Sequence, residues 1–232
     1  MKLRAKLAVG AAFLTIGVPV AMAQNINGTD NADLLFGTNQ PDLILAGAGA
    51  DYVNGLHGND RIRGGKGNDV LHGARGHDRI AGGEDNDVIH GGFGLDVLFG
   101  QAGDDVISGD WGPDIALGGS GDDRVYGGRG HDTLFAGPGA DMLFGGYGND
   151  VLVARAMDNQ VDFLICGPGF DIAFARPEDV VHRSCERTII VNGAETEPAD
   201  DEVTPPAEPR LRGNPDRGGT DPRDDNDPGQ PS

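Results

Sequence analysis

An aspartate returns every nine residues across more than half of the chain, and no other feature restricts the fold as much. Counted from Gly28, it stands without a miss at Asp33, Asp42, Asp51, Asp60, Asp69, Asp78, Asp87, Asp96, Asp105, Asp114, Asp123, Asp132, Asp141 and Asp150. With Asp as the sixth position of a nine-residue unit, the eighth position is Leu35, Ile44, Val53, Ile62, Leu71, Ile80, Ile89, Leu98, Ile107, Ala116, Val125, Leu134, Leu143 and Leu152. Each unit therefore supplies one aliphatic side chain, and only Ala116 is small. Residues 28–153 contain 31 glycines, all at positions one, two or four. The unit reads GGxGxD followed by a three-residue strand. Low hydrophobicity and high charge suit a disordered Gly-Asp linker, but disorder does not place an aliphatic residue at one phase fourteen times.

Copies such as GGKGNDVLH (64–72) and GGYGNDVLV (145–153) carry the pattern fully, and fourteen copies cover 126 residues in unbroken register. The pattern resembles the RTX family of nonapeptide repeats, GGxGxDxUx with U aliphatic, a calcium-binding repeat. The resemblance implies an all-β fold, a parallel β-roll (right-handed β-solenoid). Each unit would make one turn and one short strand, and two units would complete a coil of eighteen residues. Seven coils from the fourteen units would stack to about 34 Å at the strand spacing of ~4.8 Å.

The residue types fit that chemistry. Glycine lets a turn take positive φ and brings backbone carbonyls close to an ion, where a Cβ would interfere. Aspartate supplies the charge, and calcium accepts irregular cages of about six to eight oxygens. The fourteen aspartates are thus the candidate metal ligands. By the resemblance each ion lies between a loop and the next loop on the same edge, two units later, so fourteen loops give at most 14 − 2 = 12 gaps. Asn31, Gln40 and Asp85 replace the fourth-position glycine, and Pro41 and Pro113 occupy position five. The two N-terminal turns are accordingly expected to cap the roll with weakened binding.

The repeat breaks after Asp150. The next matching aspartate is Asp162, twelve residues on, so three residues are inserted within Ala154 to Val161. Asp162-Phe-Leu-Ile and CGPGFDIAF (166–174) resume the unit, and Asp179-Val-Val ends it. Residues 154–193 therefore read as degenerate repeats and a C-terminal cap, which the open end of a solenoid needs. Cys166 and Cys185 are the only cysteines, nineteen residues apart, one coil plus one residue. In the implied stack this separation falls within disulfide reach, and a Cys166–Cys185 staple is expected.

The termini add a compartment. Lys2, Arg4 and Lys6 precede the apolar run Leu7 to Ala21 and the A-x-A pattern Ala21-Met22-Ala23, which reads as an export signal over residues 1–23. Its removal takes the formal charge from −19 to −22, since three positive charges leave. So acidic a chain is a poor partner for nucleic acid. No remaining apolar run approaches a membrane span. Twelve calcium ions would bring +24 against −22, so folding is expected to be coupled to metal. Residues 194–232, rich in acids and prolines, read as a disordered acidic tail. The expected location is extracellular, with attachment to a cell wall as a further option.

A search for catalytic constellations finds no GxSxG, HExxH or Walker loop. His72 and His90 share the ninth position one coil apart, where two solvated rings are favoured over a transition-metal pair. The chain is read as a non-enzymatic, calcium-binding structural or interaction module. The alternative is an RTX-type secreted effector, a hydrolase or toxin, for which no residues are left over. Positions seven and nine should point outward. On one sheet they include Val97, Phe99, Ile115, Leu117, Phe135, Val151 and Val153. Such an apolar face should be covered, either by residues 176–193 folding back or by a cell-surface or protein partner.

Overall fold

The computed structural model describes residues 23–156 and 158–192. Apart from Ala23, the segment 1–23 expected to be an export signal lies outside the described residues, as does the segment 194–232 expected to be a disordered tail. Regular structure among the described residues is entirely β: nineteen strands in two sheets of ten and nine. Successive strands alternate between the sheets, and neighbours within a sheet run parallel, shifted by eighteen residues, as in Leu71↔Ile89 and Ile89↔Ile107. The chain is thus a parallel β-solenoid of about nine coils, as the repeat predicts.

The period of two along each strand sends position eight into the space between the sheets. Leu71, Ile80, Ile89, Leu98 and Ile107 are fully buried there, in one cluster running from Ile26 to Cys185. Each coil contributes only two aliphatic side chains, so this core is long and thin.

The strands are longer than expected. In the middle of the stack they span six residues, as in Val70–Arg75, Val88–Phe93 and Val106–Trp111, rather than three. The extra half comes from positions one to three of the next unit, where Gly47 pairs with Gly65 and Gly65 with Gly83. Gly83 has φ +131°, and a Cβ there would run into the Gly65 carbonyl oxygen of the preceding coil. The glycines therefore serve a second purpose beyond the turn, letting consecutive coils pair where side chains would hold them apart.

The three-residue insertion is absorbed between Val153 and Phe163. Val151 pairs with Ile172 and Met142 with Phe163, a shift of 21 residues, and the stack continues. Strands Val180–Val181 and Arg187–Ile190 then extend the two sheets. Cys166 and Cys185 form the expected disulfide, with a Cα–Cα distance of 5.1 Å.

The outward apolar face departs from expectation. Residues 176–190 do not fold back over it, because their strands join the sheet ends. Yet Val97, Phe99 and Leu117 are only 2 to 4 % exposed, packed with Ala81, Ile115 and Phe135 in a second cluster. Part of the burial is local: the Arg79 guanidinium lies 4.4 Å from the Phe99 ring centroid.

Candidate metal centre

All fourteen repeat aspartates are buried, none more than 7 % exposed. They stand in two rows, one at each edge of the roll, because alternate units turn at opposite edges. Within a row the backbone N–H of each aspartate donates to Oδ1 of the aspartate one coil later, from Asp33 to Asp51 at 2.7 Å through Asp150 to Asp171 at 2.8 Å. This bond fixes one carboxylate oxygen and the rotamer. The other oxygen, Oδ2, is buried without a hydrogen-bond partner at all twelve positions from Asp51 to Asp150, and at Asp171. A buried carboxylate oxygen without a partner is costly, and here the defect recurs once per loop.

The surroundings oppose ionisation. Burial pushes the Asp96 carboxyl up to about 7 against the help of its backbone hydrogen bond. At Asp114 burial acts with repulsion from Asp96 and Asp132, raising it to about 9. Burial and acidic neighbours likewise lift Asp123 and Asp141 to about 8. A line of such groups, charged at neutral pH only at high cost, is what a cation would relieve.

The first-position glycine opens the way to Oδ2. A Cβ at Gly91 would stand 2.6 Å from Asp96 Oδ2 and 2.9 Å from the Gly109 carbonyl oxygen one coil on. Without it, a carboxylate oxygen and a carbonyl oxygen of stacked loops face common space. Among the described residues no three His, Cys, Asp or Glu side chains converge, so an ion here must draw most of its ligands from backbone carbonyls. Hard oxygen donors, a high ligand number and an irregular cage suit calcium rather than zinc or copper.

The N-terminal turns differ, as their missing glycines suggest. Thr29 donates its backbone N–H to Asp33 Oδ2 at 2.6 Å and its hydroxyl at 2.8 Å. Thr38 donates its N–H to Asp42 Oδ2 at 2.6 Å. In these turns protein donors already occupy the oxygen left free elsewhere.

Two sets of residues have roles that the sequence reading did not assign. Asp162 and Asp171 continue the buried rows past the insertion; the resumed repeat around them was the available signal. Position five builds a second ladder along the outside: His77 N–H donates to Asn59 Oδ1, and His77 Nδ1 accepts from the Leu95 N–H at 2.7 Å. Asn86, Asp104 and Asp122 accept similarly from Asp104, Asp122 and Ala140. The variety of residue types at that position hid their shared role as acceptors.

His72 and His90 stack as expected, ring centroids 5.0 Å apart and planes 11° from parallel. Face-to-face rings do not aim their nitrogens at a common ion. His90 Nδ1 instead lies 3.1 Å from Asp110 Oδ2, and the Ser108 hydroxyl donates to Asp110 Oδ1 at 2.5 Å. Asp110 thus separates Ser108 from His90, so the imidazole does not serve as a base for the hydroxyl. The pair is half-buried rather than solvated.

A parallel β-solenoid with one buried, half-satisfied aspartate per loop defines a class, the metal-binding repeat roll. The family model for the RTX calcium-binding nonapeptide repeat matches four times in succession, over residues 27–62, 55–89, 81–116 and 117–154. These matches span more than half of the chain, and the protein belongs to that family. A search of curated proteins gives no match to the chain.

Proposed function

We propose that this protein is exported and acts outside the cell as a non-enzymatic structural or interaction module that folds when it binds calcium. The observation that carries this reading is the row of buried Oδ2 atoms without partners, from Asp51 to Asp150. Ions between loops on the same edge, up to about twelve by the gap count of fourteen loops, would satisfy those oxygens and cancel the repulsion. The occupied oxygens of Asp33 and Asp42 favour the later loops as the stronger sites. The export sequence of residues 1–23 and the Cys166–Cys185 disulfide both suit an oxidising compartment.

The face of Val97, Phe99, Ile115, Leu117 and Phe135 is a candidate surface for a cell-surface or protein partner of the exported chain.

Two measurements test the reading. Circular dichroism of residues 24–193 should change from coil-like to β-type on addition of calcium, and an equally intense β spectrum in excess chelator at pH 8 would sink it. Mass spectrometry of protein recovered from culture medium should find Gln24 as the first residue. Recovery in the cytoplasmic fraction with Met1 intact would overturn the exported part alone.

A further inference from the structure

One edge of the roll carries a ladder of rings and guanidiniums that calcium binding does not explain. At position three, alternate units place Arg75, Phe93, Trp111, Arg129 and Tyr147 in register, each paired with the next one coil on. The corresponding positions of the opposite edge hold Ala48, Lys66, Glu84, Ala102 and Ser120, with no ring among them. Phe93 and Trp111 stack with centroids 5.6 Å apart. The Arg129 guanidinium lies 4.3 Å from the Trp111 ring centroid and 5.6 Å from that of Tyr147. The three aromatic residues stay 47 to 64 % exposed. They line a shallow cleft of about 470 Å³ with Asp110 and Arg129.

Charge gives this edge a direction. In a chain of formal charge −19, Arg75 and Arg129 lie over ring faces, and neither has a carboxylate partner among the described residues. Asp110 on the floor of the cleft is committed to Ser108 and His90. The free charge at the ladder is therefore positive. An arginine held against a ring keeps its donor edge free and presents it as a fork matched to a carboxylate.

We propose that Phe93, Trp111, Arg129 and Tyr147 form a binding track for an acidic glycan, a chain of carboxylate-bearing pyranose units. C–H groups of the pyranose rings contact the exposed edges of Phe93, Trp111 and Tyr147, whose stacked faces the ladder itself fills, and the carboxylates pair with guanidinium. A rung of about 4.8 Å per coil is close to the length one pyranose adds to an extended glycan, so rungs and sugars stay in step over several units. The ladder also stacks coil on coil, but stacking alone calls for neither an unpaired arginine nor half-exposed rings.

Trp111 is the only tryptophan and sits in the middle of the track, so its emission reports on binding. The calcium-saturated protein is titrated with hexagalacturonate, and with maltohexaose as the uncharged control. The expected result is a saturable change with hexagalacturonate that is at least tenfold weaker for Arg129→Gln and for Tyr147→Leu. Circular dichroism and the calcium midpoint should stay unchanged in both variants. No saturable change, equal affinity for maltohexaose, or full affinity in Arg129→Gln, as bridging by calcium alone would give, overturns the proposal. A self-association abolished by Trp111→Leu, with no glycan bound, would assign the ladder to protein contact and overturn it as well.

Discussion

The backbone N–H of Asp78 donates to Oδ1 of Asp96 at 2.7 Å, and the other oxygen of that same carboxylate is buried with no partner at all. One side chain thus holds two coils together and leaves an acceptor for an ion. Asp96→Asn separates the two roles, because the amide oxygen can still accept from Asp78 while the charge is gone. The expected outcome is a lower calcium stoichiometry by isothermal titration, with the folding midpoint moved several-fold to higher calcium. In chelator the variant should be no less structured than the parent, since burial, which opposes the charge on Asp96, does not act on the amide. A variant with unchanged stoichiometry would remove Asp96 from the ligand set.

Proton dependence should reverse with calcium. The buried aspartates have folded-state values raised above 3.8, chiefly by burial, to about 7 at Asp60, Asp78 and Asp96 and about 9 at Asp114. Folding therefore favours their protonated forms. The contribution is fully present below 3.8 and is lost as pH rises through about 7 to 9. In chelator, β-type ellipticity should be greater at pH 5 than at pH 8.5. With calcium, protons compete for the same oxygens, so the calcium midpoint should rise as pH falls. Chelated protein that gains structure between pH 5 and pH 8.5 would contradict this account.

How much of this was legible in the sequence depends on what the repeat constrains. The nine-residue step of Asp and the aliphatic residue two positions later fix the coil length, the inward position and the site of the insertion, because a stacked coil tolerates no drift. Strand length was not legible, since Gly64-Gly65 reads as a turn, and Gly65 pairs with Gly47 because it carries no Cβ to meet the Gly47 carbonyl. The part of Thr29 and Thr38 was hidden likewise, as a hydroxyl and an N–H meeting Oδ2 depend on local backbone geometry. The position-five ladder escaped because Asn59, His77 and Asp104 share only the ability to accept one hydrogen bond. Burial of Phe99 could not be read from alternation, which says that a side chain points out and not what lies over it.

Backbone strain offers a stabilising substitution. Leu56, Ala74, Gln101 and Asp110 occupy position two, usually glycine, and have φ between +72° and +82°. A residue with a Cβ in that region costs about 1 to 2 kcal/mol, partly offset by the greater freedom of glycine when unfolded. Ala74→Gly removes only a methyl and should stabilise the calcium-loaded roll by about 1 kcal/mol in urea denaturation. Gly83→Ala should do the opposite by more, because its methyl meets the Gly65 carbonyl. If both substitutions were neutral, the pairing at position two would be looser than described.

The disulfide should act locally. Solenoid coils are stabilised by their neighbours, and closing a loop of this size contributes about 3 kcal/mol. Cys185→Ser should raise amide exchange beyond Asp162 and leave the coils around Leu71 and Ile89 protected. Uniform loss of protection along the roll would mean that the cap and the coils unfold as one unit.

The inner ladder gives the stack a one-way dependence. Each aspartate N–H is served by a carboxylate from the coil that follows, so a coil is unfinished until its successor is in place. Only the last acceptors escape this debt. Asp179 serves Asp162 while a short loop of its own holds it, through the Arg176 N–H at 2.7 Å. Glu186 serves Asp171 beside a cysteine already tied to Cys166. The cap is therefore a seed, and order in the apo-to-loaded transition should spread from the C-terminal end toward Gly28, against the direction in which the chain is made.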